Sequence, residues 1–217
     1  MRDILLDSDY QICYNSNKWD GGKSMKTEER VVEKGTPEPL AFLQEVINTR
    51  YGRTRPDDWH SLEQLRTWLI EHQLLAREAP LTQGDLRRLL EVREALRGLL
   101  RGNNEVPVAP EHIETLNHTA KHAPLIVQFR LEGPANLVPD IEGVDGAISF
   151  LLGIMFTAMT DGSWARLKVC RNERCQKAFY DTSKNRSGRW CAMAKCGSRV
   201  KARAYRQRQQ KEIGDVK

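Results

Sequence analysis

The sequence has no uninterrupted apolar stretch of the roughly 18–20 residues that a helix needs to cross a bilayer. Its longest apolar stretch, Ala147 to Met159, is interrupted by Ser149 and Gly153 and is typical of a buried core helix. The amino terminus lacks a continuous apolar centre and carries acidic residues, so it does not resemble a signal peptide. We therefore expect a cytoplasmic protein with no membrane partner.

Motifs of enzymes are also lacking. The sequence contains no phosphate-binding glycine loop, no dinucleotide-binding glycine motif and no nucleophile elbow. It contains no internal repeat, which excludes a solenoid. His118 and His122 stand one helical turn apart but have no acidic or cysteine partner at a supporting position, so we interpret them as a solvated pair. We expect that the protein is not an enzyme.

Cysteine is scarce outside the last quarter of the chain. Of five cysteines, Cys13 lies alone in a polar stretch, and the others follow the pattern C-x4-C-x15-C-x4-C. Two short knuckles joined by a loop are typical of a site that brings four thiolates to one tetrahedral zinc ion. A disulfide framework and a redox switch are the alternatives, although clustered cytosolic cysteines more often bind metal. The candidate ligands are Cys170, Cys175, Cys191 and Cys196.

The cysteine segment is also poor in apolar side chains. Its main apolar side chains are Val169, Ala178, Phe179, Tyr180, Trp190 and Met193. These are too few for an independent core, whereas structural zinc contributes about 10–16 kcal/mol of apparent binding free energy at neutral pH. Folding of this segment should therefore require zinc. Because four thiolates fill the coordination shell, the zinc is expected to be structural.

Acidic residues are nearly absent from the same segment. Arg166 to Lys211 holds 15 Lys and Arg residues against Glu173 and Asp181, whereas the rest of the chain holds 19 basic and 27 acidic residues. Such an asymmetry predicts that this segment contacts a polyanion and that the rest of the chain does not. A solvated basic helix face is the alternative.

A basic helix is predicted after the last cysteine. Gly197 permits a tight turn, and the run "SRVKARAYRQRQQK" has strong helix formers and no proline. Arginines at spacings of four and three share one face, where they could pair with guanine or with phosphates in a major groove. The loop before Trp190 adds further cations suited to backbone phosphates. The candidate DNA-binding residues are Lys184, Arg186, Arg189, Arg199, Lys201, Arg203, Arg206 and Arg208.

The preceding part of the chain predicts a mainly α-helical domain with a small β-hairpin. Apolar residues recur at helical spacing from Pro39 onward, Ser61 and Thr82 are candidate helix caps, and "PLIVQFRLEG" alternates like a strand. We expect a disordered or loosely ordered extension over residues 1–36, a helical domain over 37–165, a zinc module over 166–211 and a tail over 212–217. Met25 is a second candidate start of the chain.

The cysteine module resembles the CGNR-type zinc finger of bacterial transcription regulators. The matching residues are Cys170, Cys175, Phe179, Asp181, Ser183, Arg189, Trp190, Cys191, Met193, Cys196, Gly197, Arg199, Lys201, Arg203, Tyr205 and Arg206. One position differs, because Ser198 stands where the motif has Asn. Upstream, "LAFLQEVINTR", "LRTWLIEHQLL" and "SFLLGIMF" resemble the ABATE domain that accompanies this finger. The resemblance covers residues 39 to 210.

This resemblance implies a regulator that binds double-stranded DNA through one structural zinc finger and whose ABATE domain senses an unidentified small molecule. Asn48 and Arg50, at the end of the first predicted helix, are candidate ligand-lining residues; a helix C-terminal cap is the alternative. A homodimer is plausible because bacterial regulators often bind paired half-sites. Two other functions stay open: an RNA-binding module that stacks bases on Tyr180, Trp190 and Tyr205, and a thiol-based redox sensor.

Overall fold

The computed structural model of the chain describes residues 35–129, 131, 133 and 135–214. The predicted amino-terminal extension, up to residue 34, and residues 215–217 lie outside the described residues, as do Cys13 and Met25. The helices are α1 (Leu40–Asn48), α2 (Leu62–Glu71), α3 (Gln83–Gly102), α4 (Pro110–Ala120), α5 (Gly143–Thr160) and α6 (Ser198–Gly214). The strands are β1 (Leu125–Gln128), β2 (Asn136–Pro139), β3 (Leu167–Val169) and β4 (Ala178–Tyr180). The prediction of a mainly helical protein is confirmed.

Two helices begin where the sequence predicts a cap. The Ser61 hydroxyl accepts a hydrogen bond from the Gln64 backbone N–H at the start of α2. At the start of α3, the Thr82 hydroxyl accepts from the Asp85 N–H, and the Asp85 carboxylate accepts from the Thr82 N–H. Asp85 thus completes the capping box in place of the more usual Glu.

The core is formed by the apolar faces of α1, α2, α3 and α5, and Leu116 of α4 packs into it. The stripe on α3 is buried as its spacing predicts, with Leu89, Leu96 and Leu100 at most 1% exposed. Helix α5 is long and apolar enough to cross a membrane by length and composition, but 56% of it is buried inside the protein. It therefore packs as the core helix that the sequence predicts.

The predicted hairpin is formed by β1 and β2. The strands are antiparallel, with a register that runs from Leu125 opposite Pro139 to Gln128 opposite Asn136. The hairpin packs against α5. Pro139 ends a strand in a two-stranded sheet, where its missing N–H removes no internal ladder bond.

A second antiparallel hairpin, β3–β4, leads into the cysteine module. Side chains alternate between its two faces. On one face Leu167, Val169 and Ala178 are buried in the helical core. On the other face Phe179 joins a small cluster with Cys170 and Cys196. The hairpin therefore belongs to both parts of the protein and fixes the cysteine module against the helices.

Candidate metal centre and nucleic-acid interface

Four cysteine thiols converge between β3–β4 and α6. Their sulfur atoms all lie within 4.8 Å of one another. The Cys191 sulfur is 3.7 Å from the sulfurs of Cys175 and Cys196. Zinc–sulfur bonds of about 2.3 Å in a tetrahedron place sulfurs about 3.8 Å apart. The cysteines are therefore positioned to bind one zinc ion, and four protein ligands make that site structural.

The thiols need a cation to ionise together. Hydrogen bonds from its neighbours, first from Cys170, lower the pKa of Cys175 to about 2. The hydrogen bond with Cys175 raises the pKa of Cys170 to about 11, and hydrogen bonds with both raise the pKa of Cys191. Without metal the cluster thus favours one thiolate supported by neighbouring thiols. A divalent zinc ion supplies the charge that lets all four release their protons.

The first knuckle is shaped by the turn after β3. The buried Asn172 offers its backbone carbonyl to the N–H groups of Cys175 (2.7 Å) and Gln176 (3.1 Å). Gln176 has a positive φ of 55°, which reverses the chain so that Lys177 can accept from the Cys170 N–H at 2.9 Å. The turn therefore brings Cys170 and Cys175 to the same side of the hairpin.

The second knuckle is a single wide helical turn, Met193–Gly197, that continues directly into α6. The Cys196 N–H donates to the Ala192 carbonyl at 2.8 Å. Gly197 lies in this turn without a positive φ, so it does not contribute a left-handed backbone conformation. A side chain at this position would instead collide with Met193 and approach Trp190 to 3.0 Å.

Ser198 replaces the Asn of the CGNR motif at the start of α6. Its hydroxyl donates to the Met193 carbonyl at 3.2 Å, across the wide turn that holds the last ligand. A short polar side chain at this position therefore closes the turn before the basic helix.

A buried ion pair organises the loop between the knuckles. Lys168 Nζ lies 2.8 Å from Asp181 Oδ2, and both side chains are at most 5% exposed. Burial raises the pKa of Asp181, but hydrogen bonds from Lys168, Ser183 and Gly188 outweigh it and lower that pKa to about 2. Lys168 also donates to the carbonyls of Arg186 and Gly188. The loop is thus wrapped around one ion pair, which the sequence did not indicate.

The three predicted DNA-binding residues of this loop have exposed side chains. Lys184 and Arg186 lie on the turn that encloses the ion pair, and Arg186 has a positive φ of 51°. Arg189 is 55% exposed and lies 3.5 Å from the Glu105 carboxylate of the helical part. The loop and α6 thus carry separate groups of cations on either side of the second knuckle.

Helix α6 carries the other predicted cations. Arg199, Lys201, Arg206 and Arg208 are exposed, and Arg203 is half-buried. Every side chain from residue 204 to 210 is exposed, so Ala204 and Tyr205 do not pack against the module. Only the first turns of α6 contact the module, and the helix is exposed and basic from there to Gln210.

Asn48 and Arg50 lie where the helical part meets the finger. The Asn48 amide donates to the Ala178 carbonyl at 2.9 Å, and its oxygen accepts from the Ala178 N–H at 2.8 Å. The Arg50 side chain is exposed. Asn48 therefore binds α1 to β4, and a role of either residue in ligand binding stays a prediction.

Sequence reasoning missed two polar residues, one in α3 and one just after it, that hold the finger. Arg97 is 5% exposed and donates to the carbonyls of Ile47 (2.5 Å), Arg50 (2.6 Å) and Gln176 (2.9 Å). Asn104 donates to the carbonyls on both sides of the metal site, Val169 and Arg189. No local signal in the sequence identified either residue, because their partners lie 47 to 85 residues away along the chain.

Two family models match the chain. Residues 41–147 match ABATE, described as "Putative stress-induced transcription regulator", and residues 166–209 match the CGNR zinc finger. The order of the two matches agrees with the sequence prediction, and the second match contains all four cysteines. A search of the curated proteins finds no match.

Proposed function

Because the chain combines an ABATE domain with a CGNR zinc finger, we propose that it is a DNA-binding transcriptional regulator whose helix α6 enters the major groove of a duplex. The finger's zinc is structural, and its part is to fix the start of α6 against the protein body. We expect no enzymatic activity.

The observation that supports this function best is the surface of α6. From Ser198 to Gln210 it carries Arg199, Lys201, Arg203, Arg206 and Arg208 and no acidic residue. Most side chains of α6 are exposed, so contacts within the protein neutralise little of its positive charge, and a polyanionic partner would neutralise it. Duplex DNA supplies a dense negative charge and a groove wide enough for one helix.

Two experiments on the zinc-loaded chain test this function. The first selects bound duplexes from a random pool, and the second measures the affinity for a selected duplex by fluorescence anisotropy at several salt concentrations. Log affinity should fall linearly with log salt, by about 0.9 per phosphate contact. Arg203→Ala should weaken binding to the selected site by about 5- to 150-fold, the range for a lost base contact. Arg87→Ala removes one exposed charge far from α6 and serves as the control. The absence of salt-dependent binding to any duplex would overturn the proposal.

RNA binding has weaker support. Of the three aromatic side chains that could stack on unpaired bases, Trp190 packs on the cysteine cluster and Tyr180 packs on the helical core. Tyr205 is 59% exposed. Single-stranded RNA should therefore compete poorly with the selected duplex, and preferential binding of RNA would favour the alternative.

For the sensing role of the ABATE domain, the structure offers a cavity of about 390 Å³ between the end of α2 and the start of α5. Its walls include Ile70, Leu74, Ala147 and Phe150. The walls also carry polar groups, among them Arg77 and Glu142, which could orient a ligand. A screen of small compounds by thermal shift tests this role. Ala76→Phe, at an exposed position of the wall, should fill the cavity and reduce the shifts, and equal shifts in both proteins would count against the role.

A further inference from the structure

A basic loop of the helical domain is bound directly to the first zinc knuckle. The loop follows α1, and its Gly52 N–H donates to the carbonyl of the zinc-site residue Cys175 at 2.5 Å. The buried Arg97 side chain donates to carbonyls on both sides of this junction, Arg50 and Gln176. The Tyr51 ring lies 5.4 Å from Lys177 Nζ of the knuckle. Loop and knuckle therefore form one surface.

Positive charge is in excess on this surface. The side chains of Arg50, Arg53 and Arg174 are exposed. Neither Arg53 nor Arg174 forms an ion pair with any residue in the part of the chain that the structure describes. Glu173 is the acidic neighbour on the knuckle and is exposed as well.

The nearby acidic residues of the loop are already paired. Asp57 accepts from the buried Arg93 at 2.6 and 2.7 Å. Asp58 lies 2.7 Å from Arg55. These carboxylates therefore do not neutralise Arg53 or Arg174.

The loop and helix α6 are attached to the same small centre. Cys175, which accepts from the loop, and Cys196, two residues before α6, have sulfurs within 4.8 Å of each other. Two residues of chain span at most about 7 Å. Duplex DNA carries one phosphate charge per about 1.7 Å of its axis, so a duplex held by α6 presents many phosphates near this centre.

The geometry points to a second phosphate-binding surface, formed by Arg50 and Arg53 of the helical domain and by Arg174 and Lys177 of the first knuckle, which contacts the DNA backbone beside the groove that α6 enters. This inference rests on the proposed DNA-binding function. It makes the ABATE domain a part of the DNA-binding surface, so that the finger does not bind DNA alone.

The metal centre gives a competing reason for nearby cations. Four thiolates and one zinc ion carry a net charge of −2, which positive side chains around it would stabilise. A test must therefore measure zinc retention as well as DNA affinity. The two roles differ in outcome, because a cation that serves the metal changes zinc affinity in the absence of DNA.

The experiment compares two double variants of the full zinc-loaded chain on the selected duplex. Arg53→Ala with Arg174→Ala removes two charges from the surface. Arg87→Ala with Lys121→Ala removes two exposed charges elsewhere, and Arg87 lies about 22 Å along α3 from the end that holds the finger. The slope of log affinity against log salt should fall by about 1.8 in the first variant and stay unchanged in the second. Hydroxyl-radical footprints should lose protection at one edge in the first variant.

Each result has one reading. Equal salt slopes and equal footprints for both double variants would overturn the second surface. Binding of the selected duplex by the wild-type chain would still support the proposed function. Failure of the wild-type chain to bind any duplex would overturn the proposed function itself. The Arg53/Arg174 variant could also lose zinc to a chromophoric chelator at a chelator concentration that leaves the control variant loaded. This result would assign the two cations to the metal centre and overturn the inference.

Discussion

Two regions of the protein are stabilised in different ways. One is the helical body, which comprises α1 to α5 with the hairpin β1–β2, and the other is the zinc finger, which runs from β3 to α6. The body buries apolar side chains from five helices in one core. The finger's own cluster consists of Phe179, Trp190 and the four cysteines. Burial of apolar surface can hold the body alone, whereas the finger needs metal because most of its cluster consists of ligands.

The boundary between the two parts is less sharp than the sequence suggested. Leu167 and Val169 of the finger segment are buried in the core of the body. The body's apolar core therefore supports β3–β4, while zinc supports the second knuckle and the start of α6. This division can be tested from both sides.

Loss of zinc should have the largest effect. Cys191→Ser removes one ligand and with it much of an apparent binding free energy on the order of 10 kcal/mol. In hydrogen–deuterium exchange, residues 189–214 should lose protection, while α3 and β3 keep theirs. DNA binding should be lost with the orientation of α6. Cys13→Ser, outside the described residues, is the matched control, and equal loss of protection throughout the body would contradict the division.

Truncation of a core side chain, which creates a cavity in the body, should have the next largest effect on stability. Leu96 is fully buried in the middle of α3. Leu96→Ala should lower the free energy of unfolding by about 3 kcal/mol, measured by urea denaturation of the zinc-loaded chain. Because Leu167 shares this core, exchange of the β3 amides should quicken together with that of α3.

Val127→Ala on β1 provides the control for this cavity. Val127 is 55% exposed, so its truncation should change stability by less than about 0.5 kcal/mol. If Leu96→Ala left the β3 amides protected while α3 exchanged faster, the hairpin would not share the core of the body.

The features that could be predicted from the sequence depend on residues close together in the chain. The caps at Ser61 and Thr82 span three residues, the stripe of α3 repeats every turn, and the cysteine spacing follows the usual form of a zinc knuckle. The buried charges were not predictable in this way. Lys168 in β3 and Arg97 in α3 would ordinarily be placed on the surface.

Their burial depends on partners far along the chain. Arg97 binds carbonyls 47, 50 and 79 residues away, at Arg50, Ile47 and Gln176. Lys168 needs Asp181 and the loop carbonyls that the folded hairpin brings to it. No local period indicates such contacts. The four cysteines were predictable because their chemistry identifies them even without knowledge of the fold.

Loss of the Arg97 contacts should have an intermediate effect, confined to the contact between the loop after α1 and the first zinc knuckle. Arg97→Met keeps the length of the side chain but leaves the carbonyls of Ile47, Arg50 and Gln176 without their donor. We expect a loss of about 2 kcal/mol in the free energy of unfolding and faster amide exchange at Gly52 and in the first knuckle. Arg101→Met, one turn later on α3 and exposed, is the control. Equal exchange at Gly52 in both variants would show that Arg97 does not hold the junction.

The smallest expected effect concerns a buried charge that belongs to the body alone. Burial raises the pKa of Asp57, but the hydrogen bonds and charge of Arg93 and the Trp59 N–H outweigh it and lower that pKa below its ordinary value. A carboxylate with a lowered folded-state pKa contributes stability above its unfolded pKa, near 4, and this contribution is lost as the pH falls through the folded value. Asp57→Asn removes this contribution and keeps one hydrogen-bond acceptor for Arg93.

The quantity to measure is the difference in free energy of unfolding between the wild-type chain and Asp57→Asn. It is obtained from urea unfolding of the zinc-loaded proteins, followed by tryptophan fluorescence, between pH 7 and pH 3. The wild-type chain should be more stable by about 1 kcal/mol at neutral pH, and the two stabilities should converge below pH 4. Acid release of zinc affects both proteins alike and cancels in the difference. A constant gap across this range would mean that Asp57 stabilises the body by packing and not by its charge. Convergence would show that the body, though built on apolar burial, also depends on one ionised pair that is independent of the metal.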